Sequence, residues 1–430
     1  MPTSLQGIAK KAAQNTSYRF RNLFGMLTVA YVLSGWPLLN KRAASGVDRI
    51  SARAYGSRLH DHVTSLVERV KNQCYRAKLV RRHYIPKGNG ALRPLGIPAT
   101  EDKLLQMAVA RILEAIYEPD FLPSSYGYRK KIGARDAVRD LTRHLQFGPY
   151  SSVVEADIKG YFDHIEHERL MEMLRLRIDD RPFLRLIAKW LKAGVLDTDG
   201  QVLHPVTGLP QGGIVSPILA NIYLHHVLDV WFTEEVKAHC KGQAILCRYA
   251  DDFVCAFQYE RDAERFFRVL GKRLGKYGLE LSPEKTRLLG FSRHQKDAKS
   301  RFDFLGFTFL WGKDRKGQDR LQRRTSRSRL KKALSNFTAW IKQARNQRVP
   351  DLMKELNSKL RGYYNYYGVR GNSSSLDEFF YHVERLLYKW LNRRSQKHSY
   401  TWQGFKDLLK QFAIARPRIT EPARSRPVTT

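Results

Sequence analysis

Two adjacent carboxylates, Asp251 and Asp252, sit between the apolar runs Ala244-Ile245-Leu246-Cys247 and Phe253-Val254-Cys255. Short apolar runs flanking a polar pair predict two antiparallel strands over Ala244–Tyr249 and Phe253–Phe257, with both acids at the hairpin tip. Like charges this close repel, and one carboxyl pKa rises unless a cation neutralises the pair. A hard divalent ion with oxygen ligands does this, Mg²⁺ being the usual one. An ordinary Asp-Asp turn is the plain alternative, and the pair alone does not decide between them.

A third carboxylate shifts the balance. Asp157 ends the strand-like run Ser152 to Asp157 and precedes Ile158-Lys159-Gly160-Tyr161-Phe162-Asp163. Asp157 beside the hairpin would build a two-metal site, with ions about 3.5–4 Å apart, suited to activating a hydroxyl and stabilising charge on a phosphate. Asp163 reads instead as a partner of backbone or of a lysine. The segment Thr207 to Pro217 is glycine-rich, which lets backbone approach a ligand closely. Ser216 is predicted as an N-cap and Pro217 as the first helical residue. Ile218, Leu219, Ile222, Val227 and Leu228 would form the buried side of that helix.

The 430 residues carry 76 Lys and Arg against 41 Asp and Glu, a net charge of +35. Such a surface calls for an anionic partner, nucleic acid first and an anionic membrane second. The four cysteines form no CxxC pair, which argues against zinc and a disulfide framework and for a reducing, cytoplasmic setting. The apolar run Leu23 to Leu39 is interrupted by Gly25, Gly35 and Pro37 and is too short to span a membrane comfortably. It is read as an amphipathic helix packed on a domain or on RNA.

Leu59, Val63, Leu66, Val67 and Val70 recur at helical spacing, as do Leu104, Leu105, Ala108, Ile112 and Ile116. Between them, Arg82 to Pro98 reads as a hairpin around Asn89-Gly90. Phe302 to Phe309 reads as a strand. Residues 313–332 form a basic stretch, expected to contact phosphates through Arg320, Arg323, Arg324, Arg327, Lys331 and Lys332. Three helical segments follow: Leu330, Leu334, Phe337 and Ile341; Leu352, Leu356 and Leu360; Leu376, Phe379, Val383, Leu386 and Trp390. The tail after Arg416 is rich in Pro and Arg and is expected to be loose. The fold class is α+β, an antiparallel sheet backed by helices and followed by a helical bundle.

Six blocks, in order, resemble the reverse transcriptase and maturase encoded within bacterial group II introns. They are RRHYIPKGNGALRPLGIP (81–98), DIKGYFDHIEH (157–167), GLPQGGIVSPILANIYLHHVLD (208–229), YADDF (249–253), GLELSPEKT (278–286) and FDFLGFTF (302–309). RAASGVD (42–48) and LRGYYNYYG (360–368) also look like that family.

The resemblance implies a right-hand polymerase with fingers, palm and a helical thumb or maturase domain. It implies a basic helical extension over 1–80, fingers and palm over 81–312, thumb over 313–395 and a basic DNA-binding remnant over 396–430. Asp157, Asp251 and Asp252, with the backbone carbonyl of Ile158, match the ligands of two Mg²⁺ ions, for which Mn²⁺ could substitute. Lys87, Arg93, Gln211 and Lys285 match residues at the incoming dNTP, and Phe162 an aromatic gate against the ribose 2′-hydroxyl. Leu305-Gly306 matches the primer grip. Tyr363, Tyr364, Tyr366 and Tyr367 would either stack on nucleic acid or pack internally. Implied partners are the intron RNA, an RNA template with its DNA primer, target DNA and dNTPs, with monomer and dimer both open.

Many relatives end in a Cys- and His-containing endonuclease, whereas no cysteine here follows Cys255, so neither endonuclease nor zinc is expected. A domesticated polymerase in phage defence, spacer acquisition or DNA repair, and an RNA chaperone with a dead polymerase, are the alternatives. An RNA-dependent RNA polymerase shares the palm chemistry, but Phe162 and the Tyr-Ala-Asp-Asp turn weigh against it.

Overall fold

The computed structural model describes residues 4–86, 92–293, 300–314, 316–394 and 399–422. The chain divides into two compact units, Met1–Ala137 with Ser152–Leu288, and Val138–Ser151 with Leu289–Thr430. In chain order the strands are β1 (Val80–Pro86), β2 (Leu92–Ile97), β3 (Ser152–Asp157), β4 (Val195–Leu196), β5 (Val202–Leu203), β6 (Ala244–Tyr249), β7 (Asp252–Phe257), β8 (Arg287–Gly290), β9 (Arg301–Phe304), β10 (Phe307–Lys313) and β11 (Asp319–Thr325).

In the first unit β1 and β2 form the expected antiparallel hairpin, with Arg81 opposite Ile97 and Pro86 opposite Leu92. Its sheet has the order β2-β1-β4-β5. The following helix, Thr100–Tyr117, buries Leu104, Leu105, Ala108, Ile112 and Ile116 completely, as their spacing predicts. Glu101 and Asp102 in its first turn suit the positive end of the helix dipole. Asp102 accepts from the Tyr75 hydroxyl and the Lys78 amide, while burial pushes its carboxyl up to about 6.

The second sheet has the order β6-β7-β3-β8. Residues Val153, Val154, Phe253, Cys255 and Phe257 are fully buried. Helix Glu260–Gly275 adds Ala263, Phe266, Leu270 and Leu274 to the core of this unit, again at helical spacing.

Two local expectations are corrected. The run from Leu23 to Leu39 is not one helix but three short pieces, Phe24–Met26, Val29–Leu33 and Trp36–Leu38. Pro37 and two glycines break the backbone ladder, while Leu23, Leu27 and Val32 are still buried completely. Ser216 is itself the first helical residue of Ser216–Leu224 and Pro217 the second, with Val215 at the cap position, and the Ser216 hydroxyl donates to the Pro210 carbonyl at 2.9 Å.

That helix continues through two wider π turns, His225–Asp229 and Phe232–Val236. Burial and then nearby positive charge hold both His225 and His226 down at about 4. An unfolded histidine titrates near 6.5. The unfolded chain therefore takes up protons that the fold refuses, and stability, complete above about pH 6.5, is lost as pH falls toward 4. In thermal denaturation from pH 7.5 to 4.5 a His225→Gln, His226→Gln variant should gain Tm relative to the unaltered chain as pH falls, whatever the carboxyls contribute to both. An unchanged slope contradicts the assignment.

In the second unit Phe302 to Phe309 is a hairpin rather than one strand. Strands β9 and β10 meet at Leu305 and Gly306, whose φ angles are +50° and +82°. Strand β11 pairs along β10 from Asp319 to Thr325, so much of the basic stretch is sheet. Helices Arg327–Ala344, Val349–Tyr367, Ser373–Leu391 and Trp402–Gln411 supply a common core through Ile341, Leu356, Leu360, Leu376, Val383 and Phe405. The described part of the tail is not loose. The amides of Thr420 and Glu421 both donate to the Gly368 carbonyl, and Glu421 binds Arg323.

Candidate active site

Pairing of β3 with β7 places Asp157 directly opposite Asp252, and Tyr249 faces Asp252 across the β6–β7 hairpin. Asp251 thus lies in a two-residue turn with Ala250, while Asp252 opens the next strand, a finer placement than two acids at a tip. Ala250 takes φ +58°, a left-handed conformation unfavourable for a side-chain-bearing residue.

Neighbouring groups hold the turn there. Arg248 donates to the Ala250 carbonyl at 3.0 Å, to Asn221 at 3.2 Å and to the Ser125 hydroxyl at 2.7 Å. It also binds both carboxylate oxygens of Asp229, at 2.7 and 2.5 Å. Arg248 and Asp229 are wholly buried. Gly127 lies against the turn, where a Cβ would fall 2.4 Å from the Ala250 nitrogen, so any larger residue would push the hairpin away. Asn221 donates to the Gly127 carbonyl at 2.6 Å.

These supports were not anticipated. A lone arginine inside an apolar strand was the available signal, since arginine is almost never fully buried without a partner.

The carboxylates crowd one another. Burial first, then Asp157, Asp251 and Glu155, push the Asp252 carboxyl up to about 8. Asp251 is raised as well, by burial and by Asp157, against the pull of Arg93 and Lys285. Lys285 places its Nζ 2.8 Å from Asp157 Oδ2, an ion pair that raises the lysine pKa. Among the described residues no group of three or more His, Cys, Asp or Glu side chains forms a ready metal cage. At Asp157 an ammonium already occupies one carboxylate oxygen.

Arg93 Nε donates to Gln211 Oε1 at 2.8 Å, and Gln211 Nε2 reaches Asp163 at 3.3 Å. Asp163 therefore pairs with an amide rather than with backbone or a lysine. Arg93 and Lys285 act on the field at Asp251, which brings them to the acidic cluster. Phe162 is buried, edge-on to Tyr161 and Tyr128. Ile158 is buried and bridges to Leu281. Lys87 lies outside the described residues.

In the second unit the Leu305 carbonyl accepts from the Tyr366 hydroxyl at 2.8 Å and the Gly306 carbonyl from the Ser326 amide at 3.0 Å. Arg320, Arg324, Arg327, Lys331 and Lys332 are exposed. Arg323 is not available to phosphate as expected. It is buried, and both its terminal nitrogens bind Glu421 at 2.9 Å. The tyrosines pack internally: Tyr364 is fully buried, Tyr363 stacks on Phe379 at 3.7 Å, and Tyr366 stacks on Phe307.

A four-stranded sheet carrying a carboxylate hairpin in one unit and a helical bundle in the other fit the right-hand polymerase class. The sequence profile described as reverse transcriptase (RNA-dependent DNA polymerase) matches residues 85–309, and that of the group II intron maturase-specific domain matches residues 330–408. The group II intron-encoded protein LtrA of Lactococcus lactis subsp. cremoris is 29% identical over 94% of this chain and 80% of its own length. Protein YkfC of Escherichia coli (strain K12) is 31% identical over 79% of this chain and 96% of its own. A telomerase structure from Candida albicans aligns with 84% of this chain and 66% of that one, at 15% identity and a TM-score of 0.45.

The chain belongs to the reverse transcriptase family, as a group II intron-encoded protein with a reverse transcriptase domain and a maturase domain. RNA-directed DNA polymerase and maturase function go with that membership, as does binding of intron RNA and template. Among the described residues no helix is long and apolar enough to cross a membrane.

Proposed function

We propose that this chain copies RNA into DNA at Asp157, Asp251 and Asp252, which with the Ile158 carbonyl would hold two divalent cations, Mg²⁺ or, in its place, Mn²⁺. The observation that carries this reading is the crowding of carboxylates where Asp157 faces Asp252, which the single ammonium of Lys285 on Asp157 offsets only in part. Burial and three neighbouring carboxylates still push one carboxyl up to about 8, and hard oxygen donors with negative charge in excess suit Mg²⁺. Bound there, the ions would supply Lewis-acid stabilisation of charge on the primer 3′-oxygen and on the α-phosphate.

The remaining work falls to the chain's own groups. Arg93 and Lys285 would hold the dNTP triphosphate by charge-assisted hydrogen bonds, joined by Lys87. Gln211, fixed between Arg93 and Asp163, would orient the nucleotide against the template base. Phe162, held edge-on by Tyr161 and Tyr128, would reject a ribose 2′-hydroxyl. Leu305-Gly306 would grip the primer, and Arg320, Arg324, Arg327, Lys331 and Lys332 would track phosphates.

In domain terms the basic extension would be 1–80, fingers and palm 81–312, thumb 313–395 and a DNA-binding remnant 396–430, whose helix Trp402–Gln411 shares the core of the thumb helices. As a maturase the protein would bind its own intron RNA and shift it toward the splicing-active fold, then copy it into target DNA in the bacterial cytoplasm.

RNA-templated primer extension by the purified chain tests this. Synthesis should require Mg²⁺ or Mn²⁺, stop with EDTA and favour dNTPs. Phe162→Ala should raise rNTP use relative to dNTP by about tenfold or more, a difference of about 1.4 kcal/mol in transition-state binding. Faster rNTP incorporation by the unaltered chain would overturn the DNA-polymerase assignment.

A further inference from the structure

Helix Ser373–Leu391 turns Phe379, Phe380, Val383, Leu387 and Leu391 into its unit's core. Tyr381 and Arg385, one turn apart, lie on its exposed side. The Arg385 guanidinium sits 5.1 Å from the centre of the Tyr381 ring and 5.5 Å from that of Trp402, the first residue of helix Trp402–Gln411. Tyr381 is 53% and Trp402 40% exposed. A single exposed aromatic needs no explanation. Two bridged by a guanidinium form an exposed cation–π array.

The array is held in place. Trp402 packs edge-on against Tyr388 at 4.9 Å and tilted against the buried Phe405 at 5.5 Å. Lys406 lies 4.8 Å from the Trp402 ring and is anchored on Glu384 at 2.9 Å. Lys389, one turn beyond Arg385, is exposed and adds positive charge. Asp377 and Glu378 lie one turn before Tyr381, so the positive side of the patch is the Arg385–Lys389 side.

We infer that Tyr381, Arg385 and Trp402 form a stacking platform for an unpaired base of a structured RNA, with Lys389 near the adjoining phosphate. The occupant follows from the chemistry. Ring faces and a guanidinium plane stack on nucleobases whatever their identity, and the net charge of +35 favours a polyanion. A paired helix hides its base faces, so a loop or bulge fits this surface and a continuous duplex does not. The inference rests on the maturase reading, to which it adds the form of RNA recognised and the residues that recognise it.

The test uses the full chain and two RNA hairpins of equal phosphate count, each closed by the same polyethylene-glycol linker in place of loop nucleotides, one with a single unpaired adenine and one fully paired. Tyr381→Ala with Arg385→Ala should weaken binding to the unpaired hairpin by about tenfold. Binding to the paired hairpin should be unchanged, and so should primer extension on a short template. Tryptophan fluorescence should quench on adding the unpaired hairpin, and part of that quench should vanish in Trp402→Phe. Equal weakening for both hairpins would overturn the proposal in favour of phosphate contact alone. Normal RNA binding by all variants would overturn the platform and leave the maturase reading intact. No RNA binding by the unaltered chain would overturn both.

Discussion

Asp252→Asn is expected to abolish DNA synthesis and, in metal-free buffer, to make the protein more stable. The two effects share one cause. Removing a carboxylate that would hold a cation forfeits that ion's stabilisation of transition-state charge, worth several kcal/mol, so polymerisation should fall on the order of 10³-fold or more. The same carboxylate is strained without a cation. Its pKa stands at about 8 in the fold, against about 3.9 for an ordinary aspartate. The fold thus favours the protonated form, and its contribution to stability, complete below about pH 4, is lost as pH rises through 8.

The Tm advantage of Asp252→Asn should therefore widen from pH 5 to 8 without metal and shrink when Mg²⁺ is added. Asp251→Ala should likewise stop synthesis. Binding of intron RNA and splicing should survive in both, since neither needs this carboxylate cluster. Parallel loss of synthesis and splicing would join two functions that are separated here.

The second large effect lies beneath the turn. Removing one member of a buried ion pair strands the other, at a cost of about 3–5 kcal/mol. Arg248→Met or Asp229→Leu alone should accordingly lower Tm sharply. Combined, they should recover much of that stability, because no uncompensated charge is left. Activity should not return with it. The Ala250 carbonyl and Ser125 would still lack their donor, and the left-handed turn carrying Asp251 would relax. Arg248→Lys should fail as well, since an ammonium cannot reproduce the planar fork that reaches Asp229, Asn221, Ser125 and Ala250. Full activity in the stable double variant would show that the pair serves stability alone. The measurements are a thermal melt and a primer-extension rate on each variant.

The acid hairpin, its partner strand and the β1–β2 hairpin were legible because their signals are local: alternation, turn residues and charge within a few positions. Helix Thr100–Tyr117 was legible for the same reason, its five apolar positions recurring at one period. The support of the turn was not. Arg248 meets Ser125 across 123 positions and Asp229 across 19, and no local pattern names such partners.

Arg323 shows the converse error. Its setting among other basic residues suggested a phosphate contact, yet Glu421, 98 positions away, takes its guanidinium. The residues from Leu23 to Leu39 were misjudged because hydrophobicity was weighed above the two glycines and the proline. Of the two settings expected, a domain or RNA, the burial of Leu23, Leu27 and Val32 fits the domain, while the single continuous helix is not found.

The turn carrying Asp251 also says something about when this protein becomes active. It is braced from segments near residues 125, 221, 229 and 248, and Lys285 reaches Asp157 across 128 positions. Contacts this distant in the chain form late, since loop closure must precede them. Helices such as Thr100–Tyr117 draw on local signals and can form early. In a newly made chain the working centre is therefore expected to close after local helices have formed, so that on refolding the return of DNA synthesis should lag the return of helical signal.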